Sequence, residues 1–394
     1  MRGGTVRYLL DVVTATPDIE HHVALPRHEG VAGRSGALAD TTAEDRMAAA
    51  GAVLHVVDMR RNPLHPVNLA AVKAVRRVMA DTSPDVAHGH SSVGGAVARL
   101  AARSAGVPCA YTPNGVMTSA AAVAFERSLG RLTTRFVAVS ATEGEQVAVL
   151  RLVPRSRITV IPNGIDLTVP AESVPDVRAR LGLPPGTPLV ATVARLAAQK
   201  APEQFVRACA AVARRRPAVH FLLVGLGPLQ GRVDREVAKA GLTGRFHQIP
   251  HFRNAAAVMP QFDVLVLLSR YEGGPYVPLE AMRAGVPVVL SDVVGNRDTV
   301  ESGVTGFLVP FGDAAGAATA IVRLLDDRLV RAAVVATASA RLGRDFGVDL
   351  MGRRLAALYA SLGSEPRRST RRLPHASAGQ SSNSPDASAS QNSS

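Results

Sequence analysis

Tryptophan is absent from this chain of 394 residues, and cysteine occurs only as Cys109 and Cys209. Aromatic residues make up 4%, which argues against a carbohydrate-binding surface built on stacked aromatic platforms. Both cysteines fall in apolar stretches without CxxC or Cys/His spacing, so they read as buried core thiols in a reducing compartment. No run approaches the ~20 apolar residues of a membrane span, and the N-terminus has no signal-peptide apolar region, so a cytoplasmic protein is expected. Lysine is nearly missing as well, at positions 73, 200 and 239 only, and the net charge of +13 is carried by arginine. An arginine bias with abundant Ala, Val and Gly reads either as the composition of a GC-rich genome or as attraction to phosphorylated substrates or an anionic membrane surface. With no Lys/Arg block interleaved with aromatics, nucleic acid is not an expected partner.

What the sequence does contain is a repeated alternation of short apolar strands and helical runs, the mark of parallel sheets covered on both faces. In the first half the strands are expected at His22–Leu25, Val53–Asp58, Val86–His90, Cys109–Thr112, Arg135–Ser140 and Thr159–Pro162, with helices at Val67–Ala80, Val93–Ala105 and Thr142–Leu150. After a break rich in Pro and Gly, strands are expected at Leu189–Ala194, His220–Val224, Arg245–Ile249, Val264–Ser269 and Val286–Ser291. The helices there are Pro202–Arg215, Gln230–Ala240, Tyr276–Ala284 and one within Ala314–Asp327. This gives a Rossmann-like domain over residues 1–168 and a second over 169–345. A helix follows at 346–362, either capping the second domain or crossing back to the first, and then a Ser/Asn/Pro/Arg-rich disordered tail at 363–394. A cleft between two such halves is the default ligand site.

The strongest chemical signal runs from Tyr271 through Glu272, Gly273, Gly274, Pro275, Tyr276 and Val277 to Glu280, between a strand and a helix. The glycines admit a ligand close to the backbone, and the helix start offers unpaired N–H groups and a partial positive charge. Two carboxylates eight residues apart suit hydroxyl-rich ligands, because ionised carboxylates only accept hydrogen bonds. An ordinary helix start after a glycine turn is the plainer explanation. Arg195 and Lys200 lie between the preceding strand and Pro202, as a diphosphate clamp or as two solvated loop cations. Gly225 and Gly227 form a G-x-G after the His220–Val224 strand. No acidic residue occurs in Arg245–Phe252, which weakens a dinucleotide-dehydrogenase reading. In the first half His90, Asn114 and Asn163-Gly164 end strands on the cleft side. His88 and His90 are expected on opposite strand faces with no third metal ligand, and Asn163-Gly164 as turn chemistry near the hinge. The acidic pair Asp326-Asp327 sits on a predicted helix, and neither a metal-chelating D-x-D nor a G-x-S-x-G nucleophile is present.

Taken in order, A-R-L-A-A-Q-K-A-P, L-L-V-G-L-G-P, S-R-Y-E-G-G-P-Y-V-P-L-E-A-M-R-A-G-V-P-V-V and G-V-T-G-F-L-V-P-F-G-D resemble glycosyltransferase family 4 (glycosyl transferases group 1), with V-A-V-S-A-T-E and V-I-P-N-G-I-D in the first half. The resemblance covers roughly residues 3–362. It implies a GT-B fold and a retaining transferase of the hexosyltransferase class. That enzyme would move sugar from a UDP- or GDP-sugar to an unidentified glycan or lipid-linked acceptor in bacterial cell-envelope, glycolipid or exopolysaccharide biosynthesis. No metal or cofactor is implied. By the resemblance Arg195 and Lys200 hold the diphosphate, Glu272 lies by the transferred sugar, and Glu280 accepts from the ribose hydroxyls. Backbone N–H groups of Gly273–Val277 meet sugar and phosphate oxygens; Gly3, Gly4, Gly225 and Gly227 are donor-side, and His90 and Asn114 face the sugar or acceptor. Three departures stand out. Gly3-Gly4 resembles the glycine loop that normally follows a first strand, so that strand is expected to be missing. Asn114 stands where the family often has His, and Pro275 stands where Gly is frequent. A non-catalytic nucleotide-sugar binder and a GT-B-type epimerase are the competing expectations.

Overall fold

The computed structural model describes residues 4–26, 41–60, 62–63, 65–168, 174–252 and 254–364; the expected donor-side contact of Gly3 and the tail beyond 364 lie outside them. The first half runs α1 (Gly4–Ala15), β1 (His22–Leu25), α2 (Thr41–Ala49), β2 (Val53–Val56), α3 (Val67–Thr82), β3 (Ala87–His90), α4 (Ser92–Ala105), β4 (Cys109–Thr112), α5 (Ala120–Gly130), β5 (Arg135–Ala138), α6 (Ala141–Val149) and β6 (Ile158–Val160). Its strands do not form one sheet. β1 pairs with β2, and β3–β4–β5–β6 form a second sheet, all in parallel. Helix α1 straddles the two sheets. Leu10 and Val13 pack with Val23 and Leu25 of β1, while Tyr8 and Val12 join the cluster of Ala110 and Val137 on β4 and β5. On the opposite face Ala24 and Ala87 share a cluster with Ala71 of α3 and Val97 of α4. Where one doubly wound sheet lacking a strand was expected, there are two pieces under common helices. β1 and β3 each keep one edge that no described strand pairs.

The second half runs α7 (Val177–Arg180), β7 (Leu189–Val193), α8 (Pro202–Arg215), β8 (His220–Val224), α9 (Gln230–Lys239), β9 (Phe246–Ile249), α10 (Ala255–Val258), β10 (Val264–Leu267), α11 (Tyr276–Arg283), β11 (Val288–Ser291), α12 (Asn296–Thr299), β12 (Phe307–Val309), α13 (Ala314–Asp326), α14 (Arg328–Asp345) and α15 (Val348–Gly363). Every residue of β10 and β11 is buried, as strands covered on both faces require. The parallel order β12-β11-β10-β7-β8-β9 means that the chain winds outward from β7 through β9, returns to β10 and winds the other way. The switch point therefore lies between β7 and β10, and a ligand crevice belongs at their C-terminal ends.

The halves meet through backbone as well as side chains. Ile165 N donates to Phe346 O at 2.8 Å and Val348 N donates to Ile165 O at 3.0 Å, while a Cβ on Gly164 would lie 2.6 Å from Val348 Cα. Helix α15 then lies on the first half: Gly352 backs onto Ala15 O, and the Tyr359 hydroxyl is 2.6 Å from His88 Nδ1. Asp327 is not on the helix where the sequence put it. It caps α14, accepting from Leu329 N and Val330 N. Both cysteines are buried and unbridged, and burial pushes the Cys109 thiol up to about 12. No helix among the described residues is long and apolar enough to cross a membrane.

Candidate functional site

Lys200 comes from the β7–α8 loop and Glu272 from the β10–α11 loop, so the two flank the switch point. Lys200 Nζ donates to Glu272 Oε1 at 2.6 Å, with the Glu272 side chain 5% and the Lys200 side chain 22% exposed. The loops are tied along their length. Arg270 N donates to Gln199 O (2.8 Å), and Gln199 Nε2 donates to Tyr271 O (3.1 Å). Arg195 stands at the start of the same loop, exposed and with no ion pair among the described residues. Gly225 and Gly227 lie beneath that loop: a Cβ on Gly225 would be 1.9 Å from Ala194 O, and one on Gly227 would be 2.3 Å from Leu196 O.

Helix α11 begins at Tyr276, after Pro275 as an extended N-cap that offers no side-chain hydrogen bond. Its first amides lack intrahelical acceptors and point out of the helix start. Tyr276 is buried beneath α1. A Cβ on Gly4 would lie 3.8 Å from Tyr276 Cδ2, and the Arg7 guanidinium sits 5.9 Å from the tyrosine ring centre. Arg7 also reaches Glu280 (3.9 Å) and pairs with Asp11 (2.8 Å). Burial raises the Glu280 carboxyl above the ordinary glutamate range, opposed by Arg7 and Arg283. The sequence reading missed Arg7, although a cation one turn into the helix after Gly3-Gly4 is the signal that could have shown it.

The opposite wall is made by the strand ends of the first half. The expectation that His88 and His90 point to opposite faces is corrected, because residues two apart in a strand share a face and these rings lie 4.1 Å apart. His88 is satisfied by Tyr359 and by Thr112 Oγ1 (2.8 Å). His90 Nδ1 is buried without a partner, and burial holds the ring down to about 3, hence neutral at physiological pH. Asn114 has a left-handed backbone (φ 57°), and its Nδ2 is likewise buried without a partner. A Cβ on Gly273 would lie 2.7 Å from Gly115 N, so the Asn114–Gly115 turn rests on the Glu272–Gly274 loop. Asn163 does more than shape a turn, since its Nδ2 donates across the cleft to Gly274 O at 2.5 Å.

A further bridge was not legible in the sequence. Asp298 of α12 accepts from Ala141 N (3.0 Å) and from Thr142 N and Oγ1, capping α6 of the other half; Thr142 Oγ1 also accepts from Gly295 N at 2.9 Å. Beside it is a cavity of about 250 Å³ lined by Ser140, Asn163, Gly274, Gly295, Asp298 and Arg341. Among the described residues no three His, Cys, Asp or Glu side chains converge as metal ligands would. Of the residues singled out from sequence, Lys200, Glu272–Val277, Asn114 and Asn163 are thus brought to one crevice. At its α1 side Gly4 faces Tyr276 and Arg7 reaches Glu280, and Gly225 and Gly227 lie under its floor.

Residues 173–341 match the family Glycosyl transferases group 1, and residues 2–169 match Glycosyltransferase Family 4. The chain is 32% identical over 268 residues to the Escherichia coli UDP-Gal:alpha-D-GlcNAc-diphosphoundecaprenol alpha-1,3-galactosyltransferase, a match covering 62% of this chain and 67% of that enzyme. It is 33% identical over 240 residues to the lipopolysaccharide core biosynthesis mannosyltransferase LpsB of Rhizobium meliloti, covering 59% and 67% respectively. The solved complex of Anabaena HepE with UDP-glucose superposes with a TM-score of 0.76 over 92% of this chain and 97% of that one; at 21% identity it speaks to the GT-B fold. With a family match on each half and the crevice between them, the chain belongs to the group 1 glycosyltransferases of family 4 and is a glycosyltransferase.

Proposed function

We propose that the chain is a retaining glycosyltransferase that takes a sugar from a UDP- or GDP-sugar and transfers it to a glycan or lipid-linked acceptor of the bacterial cell envelope. The observation that carries this reading is the Lys200–Glu272 pair at the switch point, facing the Asn114–Gly115 turn. When the bond between the anomeric carbon and the diphosphate breaks, negative charge grows on the departing phosphate. Lys200, held by Glu272, and the start of α11 are fixed positive groups to meet it, a preorganised electrostatic device, and the exposed Arg195 is a further cation at the start of the same loop. Glu272 accepts from sugar hydroxyls, Glu280 accepts from the ribose, and the N–H groups of Gly274, Tyr276 and Val277 take the donation that Pro275 cannot make. No step in this scheme draws on a metal or cofactor. The names of the Escherichia coli and Rhizobium enzymes, one using UDP-Gal on a diphosphoundecaprenol-linked sugar and one building lipopolysaccharide core, favour a lipid-linked acceptor.

Screening nucleotide sugars by thermal shift should single out one donor, because a bound donor stabilises by mass action. That donor should release nucleotide when a lipid-linked glycan acceptor is supplied, with the product keeping its anomeric configuration. Background release with every UDP- and GDP-sugar would overturn the reading. We further propose peripheral contact with anionic lipid through the net charge of +13. Co-sedimentation with vesicles rich in anionic lipid should then fall as salt rises, and salt-independent binding would count against it.

A further inference from the structure

Glu143 has no role in the scheme above, yet it is fully buried in the first turn of α6, next to the cleft. Its Oε1 accepts from Gly115 N at 2.8 Å and its Oε2 from Val139 N at 2.8 Å, so one carboxylate ties the end of β5 to the Asn114–Gly115 turn. The turn needs such a tie. Asn114 (φ 57°) and Gly115 (φ 116°) are both left-handed, a conformation that costs an L-residue free energy and persists where its surroundings over-determine it. A Cβ on Gly273 would lie 2.7 Å from Gly115 N and 3.1 Å from Glu143 Oε1, so carboxylate, turn and donor-side loop are stacked in contact. The tie holds an Asn114 amide that is buried without a partner, a state that a hydroxyl-rich ligand would relieve.

We propose that Glu143 is a positioning residue for transfer: its carboxylate fixes the Asn114–Gly115 turn against Gly273 and so aims the Asn114 amide at the transferred sugar. The inference rests on the transferase reading above. No cation pairs with Glu143 among the described residues. The titratable groups that face it are Asp298 from α12, Tyr8 from α1 and Tyr111 from β4. Burial lifts the carboxyl to about 7, against the pull of the two N–H groups. Once protonated it carries an O–H that donates, one of the two N–H groups loses its acceptor, and the turn is released. Transfer should therefore fall on the acid side of about 7.

The test uses the full chain and the donor that wild type turns over. Glu143→Gln accepts from only one of the two N–H groups. It should lower kcat about 10–100-fold, as a misplaced reacting group does. The donor KM should stay within threefold, and the acid limb of the kcat–pH profile near 7 should disappear. An unchanged kcat, a limb that persists, or a loss confined to donor KM overturns the proposal. If that variant does not fold, Glu143→Asp takes its place. It keeps the charge but is one methylene short of spanning both groups, and the same loss of kcat at constant KM is expected. A wild type without turnover on any nucleotide sugar overturns the proposed activity itself and this inference with it; an active wild type with an indifferent Glu143→Gln overturns this inference alone.

Discussion

Glu272→Gln should cut transfer by about 100–1,000-fold, the loss expected when one preorganised charge is removed from the reacting centre, while the protein stays folded. Glutamine keeps the shape of the side chain and an oxygen that can accept from Lys200 Nζ, now 2.6 Å away, so the loop geometry survives and only the charge is lost. Lys200→Ala is a different experiment at the same pair. It leaves a carboxylate 5% exposed without its cation, and breaking a buried pair in this way costs about 3–5 kcal/mol. The residual exposure of Lys200, 22%, places the expected cost at the lower end of that range, roughly 3 kcal/mol. The two variants should also diverge in binding the nucleoside diphosphate alone. In the free protein the ammonium is committed to Glu272, and a diphosphate must compete for it. Glu272→Gln weakens that competitor to a neutral acceptor and should bind the diphosphate at least as tightly as wild type. Lys200→Ala loses a charge-assisted contact worth about 1.5–3 kcal/mol, which is roughly 10–150-fold in Kd. Calorimetry on both variants reads this directly. Weaker diphosphate binding by Glu272→Gln, or transfer within threefold of wild type, would break the assignment of Glu272 to the sugar and Lys200 to the phosphate.

What made this crevice legible in the sequence is local. β10 is an uninterrupted apolar run, β11 is one up to Ser291, and α8 opens on Pro202, whose missing N–H costs nothing at a helix start, so strand, loop and helix follow in order along the chain. Any residue in a loop after such a strand is at the C-terminal edge of the sheet, and Lys200 and Glu272 could be placed there without a structure. The expected strands at Cys109–Thr112 and His220–Val224 coincide with β4 and β8. β12 escaped because it has three residues, and α14 because its Ala, Val and Arg residues carry no strong stripe. Its one signal was Asp327, which was read as part of a helix and is in fact the cap of the next. The contacts across the cleft were out of reach for another reason. Asp298 meets Thr142 and Asn163 meets Gly274 only because the two halves are set at one particular rotation to each other, joined by the Ile165–Gly347 bridge. No spacing in the chain encodes that rotation. Glu143 was hidden for a different reason: it lies in the same half as its partner Gly115 but on a separate βα unit, and only the packing of neighbouring strands brings the two together.

The glycines of the G-x-G segment are donor-side by the resemblance, and in the structure both also pack tightly against the protein's own backbone. Gly225 has φ 152°, and a Cβ there would stand 1.9 Å from Ala194 O, a distance no side-chain rotation can relieve because the Cβ is fixed by the backbone at 225 and the atom it meets is itself backbone. Ala194 is held in turn, donating to Val224 O at 3.0 Å, and Leu196 N donates to Leu226 O at 3.0 Å. Gly225→Ala must therefore push the Arg195–Lys200 loop off the end of β7 or distort β8. Either route belongs to the small group of substitutions that cost more than about 4 kcal/mol. For a unit of the size of the second half that corresponds to roughly 8–16 °C in Tm. Gly241→Ala is the control. It also has a left-handed backbone (φ 65°), but nothing lies within 4 Å of the added Cβ, so only the conformational cost of about 1–2 kcal/mol remains. Thermal unfolding of the two variants separates close approach from backbone conformation. If Gly225→Ala falls no further than Gly241→Ala, the Ala194–Leu196 backbone is free to move, and the loop that carries Lys200 is not seated by the glycines beneath it.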